Sequence, residues 1–276
     1  MIIKTSPVGQ LANRIYDFST FIAFSIENKE RLVYPFFNEF KEYFLLNESV
    51  LLTKKIWLVD KPWKLKGFKL FIRMLNFLRN NGSNISSIYH NSSVLDISDL
   101  KTKTNFNLFE GGWYINYNSF VKNEEILKST FTIKEPYARN VKNVIEPANL
   151  KYDILVGVHI RRGDYKDFLG GKFYFEDDIY VQKMNLFQSF FRDKKIGFLI
   201  CSNQEINYNN FSEFDIVKPT NFFIEDLYCL ASCDYLLGPP STFTMWASFY
   251  GNTPLYKIHS KEDIFELKDF VVTKEY

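Results

Sequence analysis

The sequence predicts an α/β fold with two Rossmann-like lobes and a cleft between them. Two observations carry that expectation. From residue 152 onward, short apolar runs alternate with segments of helical periodicity, the pattern of a parallel, doubly wound sheet. The first half also begins strand, helix, strand, and 276 residues are long for one domain but comfortable for two small ones. We therefore expect an N-terminal lobe over residues 1–150 and a C-terminal lobe over residues 151–276.

The elements follow in order. "MIIKTS" reads as a short first strand, "LANRIYDFSTFIAFSIENK" as a long helix with apolar residues at helical spacing, and "RLVYP" as a second strand. "KGFKLFIRMLNFLRNNG" shows helical periodicity, and Gly82 is placed to end it. "NLFEGGWY" reads as a strand and turn, followed by one helix through "SFVKNEEILKSTF". "EPYARNVKNVIEPANLKYD" is a polar helical segment in which Pro147 and its successors make a linker. The second lobe then runs strand "ILVGVHI", helix "DDIYVQKMNLFQSFFR", strands "IGFLICS" and "DIVKP", helix "FIEDLYCLASC", strand "DYLLG", helix "TFTMWASFYG" and strand "PLYKI". Neither an internal repeat nor a low-complexity tract interrupts the chain.

Composition narrows the function. With 34 basic and 32 acidic side chains the net charge is only +2, which gives no electrostatic footprint for nucleic acid. No stretch has the roughly 18 apolar residues of a membrane span, and "MIIKTSPVGQ" lacks the pattern of a secretory signal. Cys201, Cys229 and Cys233 have neither disulfide nor zinc spacing, and Cys229 and Cys233 are expected on one helix face as reduced core residues. The expected location is the cytoplasm, at most at the periphery of a membrane.

The chemistry is concentrated at "VGVHIRRGDYKDF". Alternation along a strand puts Gly157, His159 and Arg161 on one face and sends Arg162 away. In an open α/β sheet ligands sit beyond the carboxyl ends of the strands, so His159 and Arg161 are aimed at that crevice. Gly163 lets the chain bend there. An adhesion tripeptide would need an exposed flexible loop, whereas this one leaves a buried strand; a solvated turn pairing Arg162 with Asp164 is the plainer alternative. An anion cradle suits the planar donors of arginine best. "DYLLGPPSTFTMW" adds a strand, a turn and a helix capped by Ser241, whose free N–H groups, with the Ser241 and Thr242 hydroxyls, can seat a phosphate. Gly9 and Asn13, in "SPVGQLANR", are a turn glycine and a polar residue at a helix start, far from a dinucleotide fingerprint.

"HIRRGDY" resembles the HxRRGD signature of the fucosyltransferases, particularly the family 11 α-1,2-fucosyltransferases; the wider group includes α-1,6- and protein O-fucosyltransferases. "GQLANRIYDFSTFIAFS", "FEGGWYINYNSFVKNEEILKSTFTI", "FLICSN" and "IEDLYCLASCDYLLGPPSTFTMWASFYGN" are similar to further segments of that family, in family order. The resemblance implies a GT-B-like fold and an inverting, metal-independent transfer from a GDP-sugar, usually GDP-β-L-fucose, to a glycan hydroxyl, as in polysaccharide assembly. By position it implies Arg161 on the donor β-phosphate, His159 placing the nucleotide and Arg162 in support. Ser241, Thr242 and Phe243 then lie near the diphosphate, Asp226 contacts the nucleoside or braces the site, and Asn13 is on the acceptor side. Ala12 and Arg14 stand where the family has glycine and glutamine, "GPPSTFTMWAS" has one of two paired tryptophans, and Tyr235 replaces a histidine.

Asp164 is expected to orient Arg161 or the acceptor, and Trp113 to line the acceptor side. "EDD" at 176–178 reads as an acidic first helical turn and not as a metal motif; no metal or other cofactor is expected. Three alternatives stay open: another GDP-sugar transferase, a nucleotide-binding protein without catalysis, and an interaction domain that binds no nucleotide.

Overall fold

A computed structural model describes residues 1–46, 51, 54–58, 62–98, 100 and 104–274. The chain divides into two compact units, residues 1–134 and residues 135–274.

The first unit is built on a parallel sheet of β1 (Ile2–Lys4), β2 (Leu32–Tyr34), β3 (Ile56–Leu58), β4 (Ile85–Asp96) and β5 (Phe106–Ile115), in the order β3-β2-β1-β5-β4. Strand partners share a face, so the register Leu108–Ile3–Val33–Trp57 sets one row of side chains on one side. Helix α2 (Pro62–Asn80) covers that row with Phe68 and Leu75. Helix α1 (Leu11–Glu27), buried along almost its whole length, packs on the sheet through a cluster of rings, including Phe18 stacked on Tyr34 at 4.5 Å and Phe21 edge-on to Phe109 at 5.0 Å. The single helix expected over 119–131 is two, α3 (Tyr117–Lys122) and α4 (Glu124–Thr130). Asn123 separates them: its amide donates to Ser119 O at 2.8 Å and so competes with the helical ladder.

Beneath α1 lies a buried ionic cluster. Lys4 and Asp17 are fully buried, 3.8 Å apart. Tyr34 Oη donates to Asp17 at 2.7 Å, and Lys4 Nζ donates to the carbonyls of Gly111 and Gly112 at 3.3 and 3.4 Å. The ammonium also lies 4.6 Å from the Tyr114 ring centre. Burial pushes the Asp17 carboxyl up to about 6 and the Lys4 ammonium down, while their mutual attraction opposes both shifts.

The second unit opens with α5 (Glu135–Lys151), which contains Pro147, so the linker expected there is instead the last turns of a helix. Proline removes one helical donor, but its side is exposed, and Tyr152 N–H closes the helix onto Ala148 O at 2.9 Å. The parallel sheet of this unit has the order β10-β9-β6-β7-β8. Its strands are β6 (Ile154–Ile160), β7 (Ile196–Ser202), β8 (Ile216–Val217), β9 (Tyr235–Gly238) and β10 (Leu255–Lys257). This is the doubly wound arrangement, and the direction of winding reverses between β6 and β9.

Every residue of β6 is buried, as in a parallel strand covered on both faces. Val156, Val158 and Ile160 join Ile179, Met184 and Phe187 of α6 (Asp177–Ser189). The opposite face meets α7 (Phe223–Ala231) so closely that a Cβ on Gly157 would lie 2.7 Å from the Leu230 side chain of that helix, and equally near Leu236 of β9. All three cysteines are buried and free. The shared helix face expected for Cys229 and Cys233 is absent because α7 ends at Ala231; Cys233 sits in the turn, its thiol 3.3 Å from Cys229 O.

Candidate functional site

In a doubly wound sheet the two strand ends at the reversal point part, and a ligand crevice opens beyond their carboxyl ends. Here those ends are Ile160 of β6 and Gly238 of β9, and the charged segment follows directly on the first.

Alternation sends consecutive arginines to opposite sides. Arg161 turns toward Asp164, with its Nη2 2.8 Å from one carboxylate oxygen and 2.9 Å from the other, and its guanidinium 5.3 Å from the Tyr165 ring centre. Arg162 goes to the α6 side, where Nη2 pairs with Asp177 and Nη1 lies 3.9 Å from Glu176. The alternative pairing of Arg162 with Asp164 is thus not the one formed. Asp177 is fixed from behind by Asn210 Nδ2 at 2.7 Å, and the acidic helix start at 176–178 is occupied by this cation. Both guanidinium Nε atoms are buried without a partner among the described residues.

Asn203 holds the bend. Its Oδ1 accepts from Arg162 N–H at 2.7 Å and its Nδ2 donates to Arg162 O at 3.0 Å, imitating one more step of the β6–β7 ladder. Gly163 then takes φ +64°, a left-handed conformation that a side chain would strain, with Asn203 Nδ2 only 3.0 Å from where a Cβ would stand.

His159 is buried, its ring stacked on Phe243 at 5.1 Å, and its Nδ1 has no partner among the described residues. Burial, with Arg161 nearby, lowers its pKa to about 3, so the imidazole is neutral. Phe243 is the second residue of α8 (Thr242–Gly251), whose cap is Ser241, with Oγ accepting from Phe243 N–H at 3.2 Å. Thr242 is the first helical residue.

One contact not legible in the sequence joins the two halves of this site. Tyr165 Oη donates to Pro240 O at 2.7 Å, tying the loop after β6 to the turn before α8 while its ring lies against Arg161. Phe168 stacks on that ring at 5.3 Å. Tyr165→Phe is expected to keep the ring and lose the tie. It should weaken the hold on an anion bound at this crevice several-fold to tenfold, in line with about 1 kcal/mol for one hydrogen bond, with little change in melting temperature. Calorimetric titration of the two proteins with pyrophosphate checks this, and unchanged affinity would leave Tyr165 a packing residue only.

Asp226 lies in the first turn of α7, buried, its Oδ1 3.5 Å from Thr220 Oγ1. Burial raises its pKa to about 7, against the pull of the Asn221 N–H and Thr220 hydroxyl, so it holds a proton for part of its time near neutrality. In the first unit, Asn13 sits in the first turn of α1 with its amide over Gly9, and Trp113 is a half-buried residue of β5. Arg14 donates to Gly9 O and Phe36 O and pairs with Glu39 at 3.2 Å, a brace between two loops. Among the described residues no group of three or more His, Cys, Asp or Glu side chains is placed to hold a metal ion, and no helix is long and apolar enough to cross a membrane.

No protein-family model matches the chain, and no curated protein matches it in sequence. Solved structures do match. The NodZ α-1,6-fucosyltransferase of Bradyrhizobium, soaked with GDP-fucose, superposes with a TM-score of 0.58 at 12% identity, over 98% of this chain and 96% of that one. FUT1 of Arabidopsis thaliana, as a mutant in complex with GDP, gives 0.57 at 13% identity, over 94% and 71%. POFUT1 in complex with GDP gives 0.55 at 11% identity, over 91% and 94%. The likeness is one of fold. The chain has the two-unit α/β fold of these fucosyltransferase structures, the GT-B-like class expected from its sequence.

Proposed function

We propose that this protein is an inverting, metal-independent glycosyltransferase that moves L-fucose from GDP-β-L-fucose to a glycan hydroxyl, of the α-1,2-fucosyltransferase type of family 11. The observation that carries the reading is the placement of Arg161 and the capped start of α8 on the two strand ends that part at the sheet's reversal point. The fold shared with structures solved with GDP and GDP-fucose supports the same donor.

In this reading the acceptor hydroxyl oxygen attacks the anomeric carbon from the face opposite GDP. The bond from that carbon to the β-phosphate oxygen breaks, the electron pair leaves with GDP, and the acceptor hydroxyl's proton passes to solvent as the glycosidic bond forms. Charge therefore grows on the β-phosphate. Arg161 and the N–H groups at the start of α8, with the Ser241 and Thr242 hydroxyls, are the groups assigned to meet it, the work a metal ion does elsewhere. Asp164 is the orienting residue: its carboxylate is already held by Arg161, so it fixes the guanidinium rather than serving as base. Neutral His159, stacked on Phe243, shapes the nucleotide site without adding charge, and Arg162, locked to Asp177, anchors the loop. Asp226 serves the nucleoside. Asn13 and Trp113 belong to the acceptor side, in a first unit that binds acceptor while the second binds donor.

The proposal is tested by incubating the protein with GDP-fucose, GDP-mannose and UDP-galactose, each with EDTA, and following nucleotide release with and without an oligosaccharide array. GDP release from GDP-fucose, raised by an acceptor and indifferent to EDTA, is expected. Turnover of another GDP-sugar instead would reassign the hexose, and release only with added metal would refute the metal-free mechanism.

A further inference from the structure

Helix α2 carries three distinct stripes. Phe68, Ile72 and Leu75, at helical spacing, face the sheet and pack with Ile3 and Leu108. On the far side Leu70, Met74 and Phe77, at i, i+4 and i+7, are 68%, 48% and 67% exposed, with Leu78 beside them. Next to that apolar ridge run Lys66, Lys69 and Arg73, all exposed. The helix holds five basic residues and no acidic one, and among the described side chains Arg79 is the one paired with an acid, Glu110 on the sheet at 3.8 Å. In a chain whose net charge is +2, such segregation is local and pronounced.

A second element extends the same side. Trp57, on edge strand β3, shares the face that α2 covers, one strand beyond Val33, and is 46% exposed with the Arg31 guanidinium 5.7 Å from its ring centre. Single exposed apolar residues are ordinary, but three on one helix face, bordered by cations and flanked by an exposed indole, are not.

We propose that α2 and the neighbouring β3 edge form a docking surface for an anionic lipid bilayer. An amphipathic helix with a basic border lies in the headgroup region with its apolar ridge in the acyl boundary, and an indole beside a cation suits that same depth. Charge selects this occupant over a second copy of the chain, because a two-fold contact through this face would set the cations of α2 against themselves. A nucleic acid backbone would use the cations and leave the ridge of Leu70, Met74 and Phe77 uncovered. The surface lies on the helix side of the first sheet and does not depend on the donor chemistry proposed above.

The test is sedimentation of the full chain with vesicles of phosphatidylcholine alone or containing about 30 mol % phosphatidylglycerol. Wild-type protein is expected to partition at least about tenfold more strongly to the anionic vesicles, with the preference shrinking at high salt. Lys69→Glu with Arg73→Glu, and separately Leu70→Ser with Phe77→Ser, should each remove at least about nine-tenths of that partitioning. These side chains are exposed, so far-ultraviolet circular dichroism melts should match wild type. Quenching of tryptophan fluorescence by brominated phosphatidylglycerol, reduced in Trp57→Phe, reads the contact with α2 unaltered. Equal recovery on neutral vesicles, or none on either, would overturn the proposal. Concentration-dependent dimerisation abolished by Leu70→Ser with Phe77→Ser, with lipids without effect, would overturn it in favour of a second copy.

Discussion

Arg161→Ala is expected to lower the rate of sugar transfer by roughly 10²- to 10³-fold, about 3–4 kcal/mol of transition-state stabilisation, the usual loss when one preorganised donor to a developing anion is removed. The fold should survive. The Arg161 side chain makes an ion pair with an Asp164 carboxylate that is itself 58% exposed, and such pairs contribute little to stability. Arg161→Lys keeps the charge but loses the planar fork that spans two phosphate oxygens, so it should fall between wild type and alanine. Initial rates at saturating donor, with melting curves on the same samples, decide the matter. Turnover near wild type in Arg161→Ala would remove this residue from the donor site.

Lys4→Met should produce the largest loss of stability. It leaves Asp17 fully buried with the Tyr34 hydroxyl as its hydrogen-bond partner among the described residues, and breaking a buried pair in this way costs about 3–5 kcal/mol. The loss should depend on pH. Asp17 has its pKa raised from the ordinary 3.8 to about 6, so the stability it affects is fully present below the unfolded value and falls as pH rises through about 6. Without Lys4 to favour the carboxylate, the rise in pKa is greater and more stability is lost on the alkaline side. The gap between wild type and Lys4→Met should therefore be small near pH 5 and wide near pH 8 in urea titrations. Adding Asp17→Asn, which removes the charge and keeps an acceptor for Tyr34, should recover most of the loss; a purely additive double variant would contradict the pairing.

How far the chain could be read before its structure was known depended on where each interaction lies. β6 and α8 are legible to the residue, because a nearly continuous apolar run and a serine before a helical stretch are local signals. The expectation that Arg162 diverges from Arg161 rests on strand alternation alone, and the pairing with Asp177 follows it. By contrast β3 and β4 are not legible in the sequence. Both are edge strands, and β4, with "ISSIYHNSSVLD", has too few apolar residues to show either period. Pro147 reads as a linker because its cost to a helix is local, whereas the packing of Val141, Ile145 and Ala148 that keeps α5 intact is tertiary. In the site, the charged residues announce themselves, but the Tyr165 tie to Pro240 spans 75 positions and the Asn203 clamp on Arg162 spans 41. Nothing in the spacing of Lys4 and Asp17 signals that a strand and a helix will enclose both.

The central claim is that the reversal point between β6 and β9 holds a guanine nucleoside diphosphate without a metal. The most direct measurement is the melting temperature with GDP, UDP, CMP or buffer, with EDTA throughout. At 100 times its dissociation constant a ligand stabilises the folded state by about 2.7 kcal/mol, a shift of several degrees. A GDP-selective shift that disappears in Arg161→Ala is the predicted result. A well-folded protein whose melting no nucleotide alters would contradict it, and "HIRRGDY" would then be no more than a charged turn at the end of a buried strand.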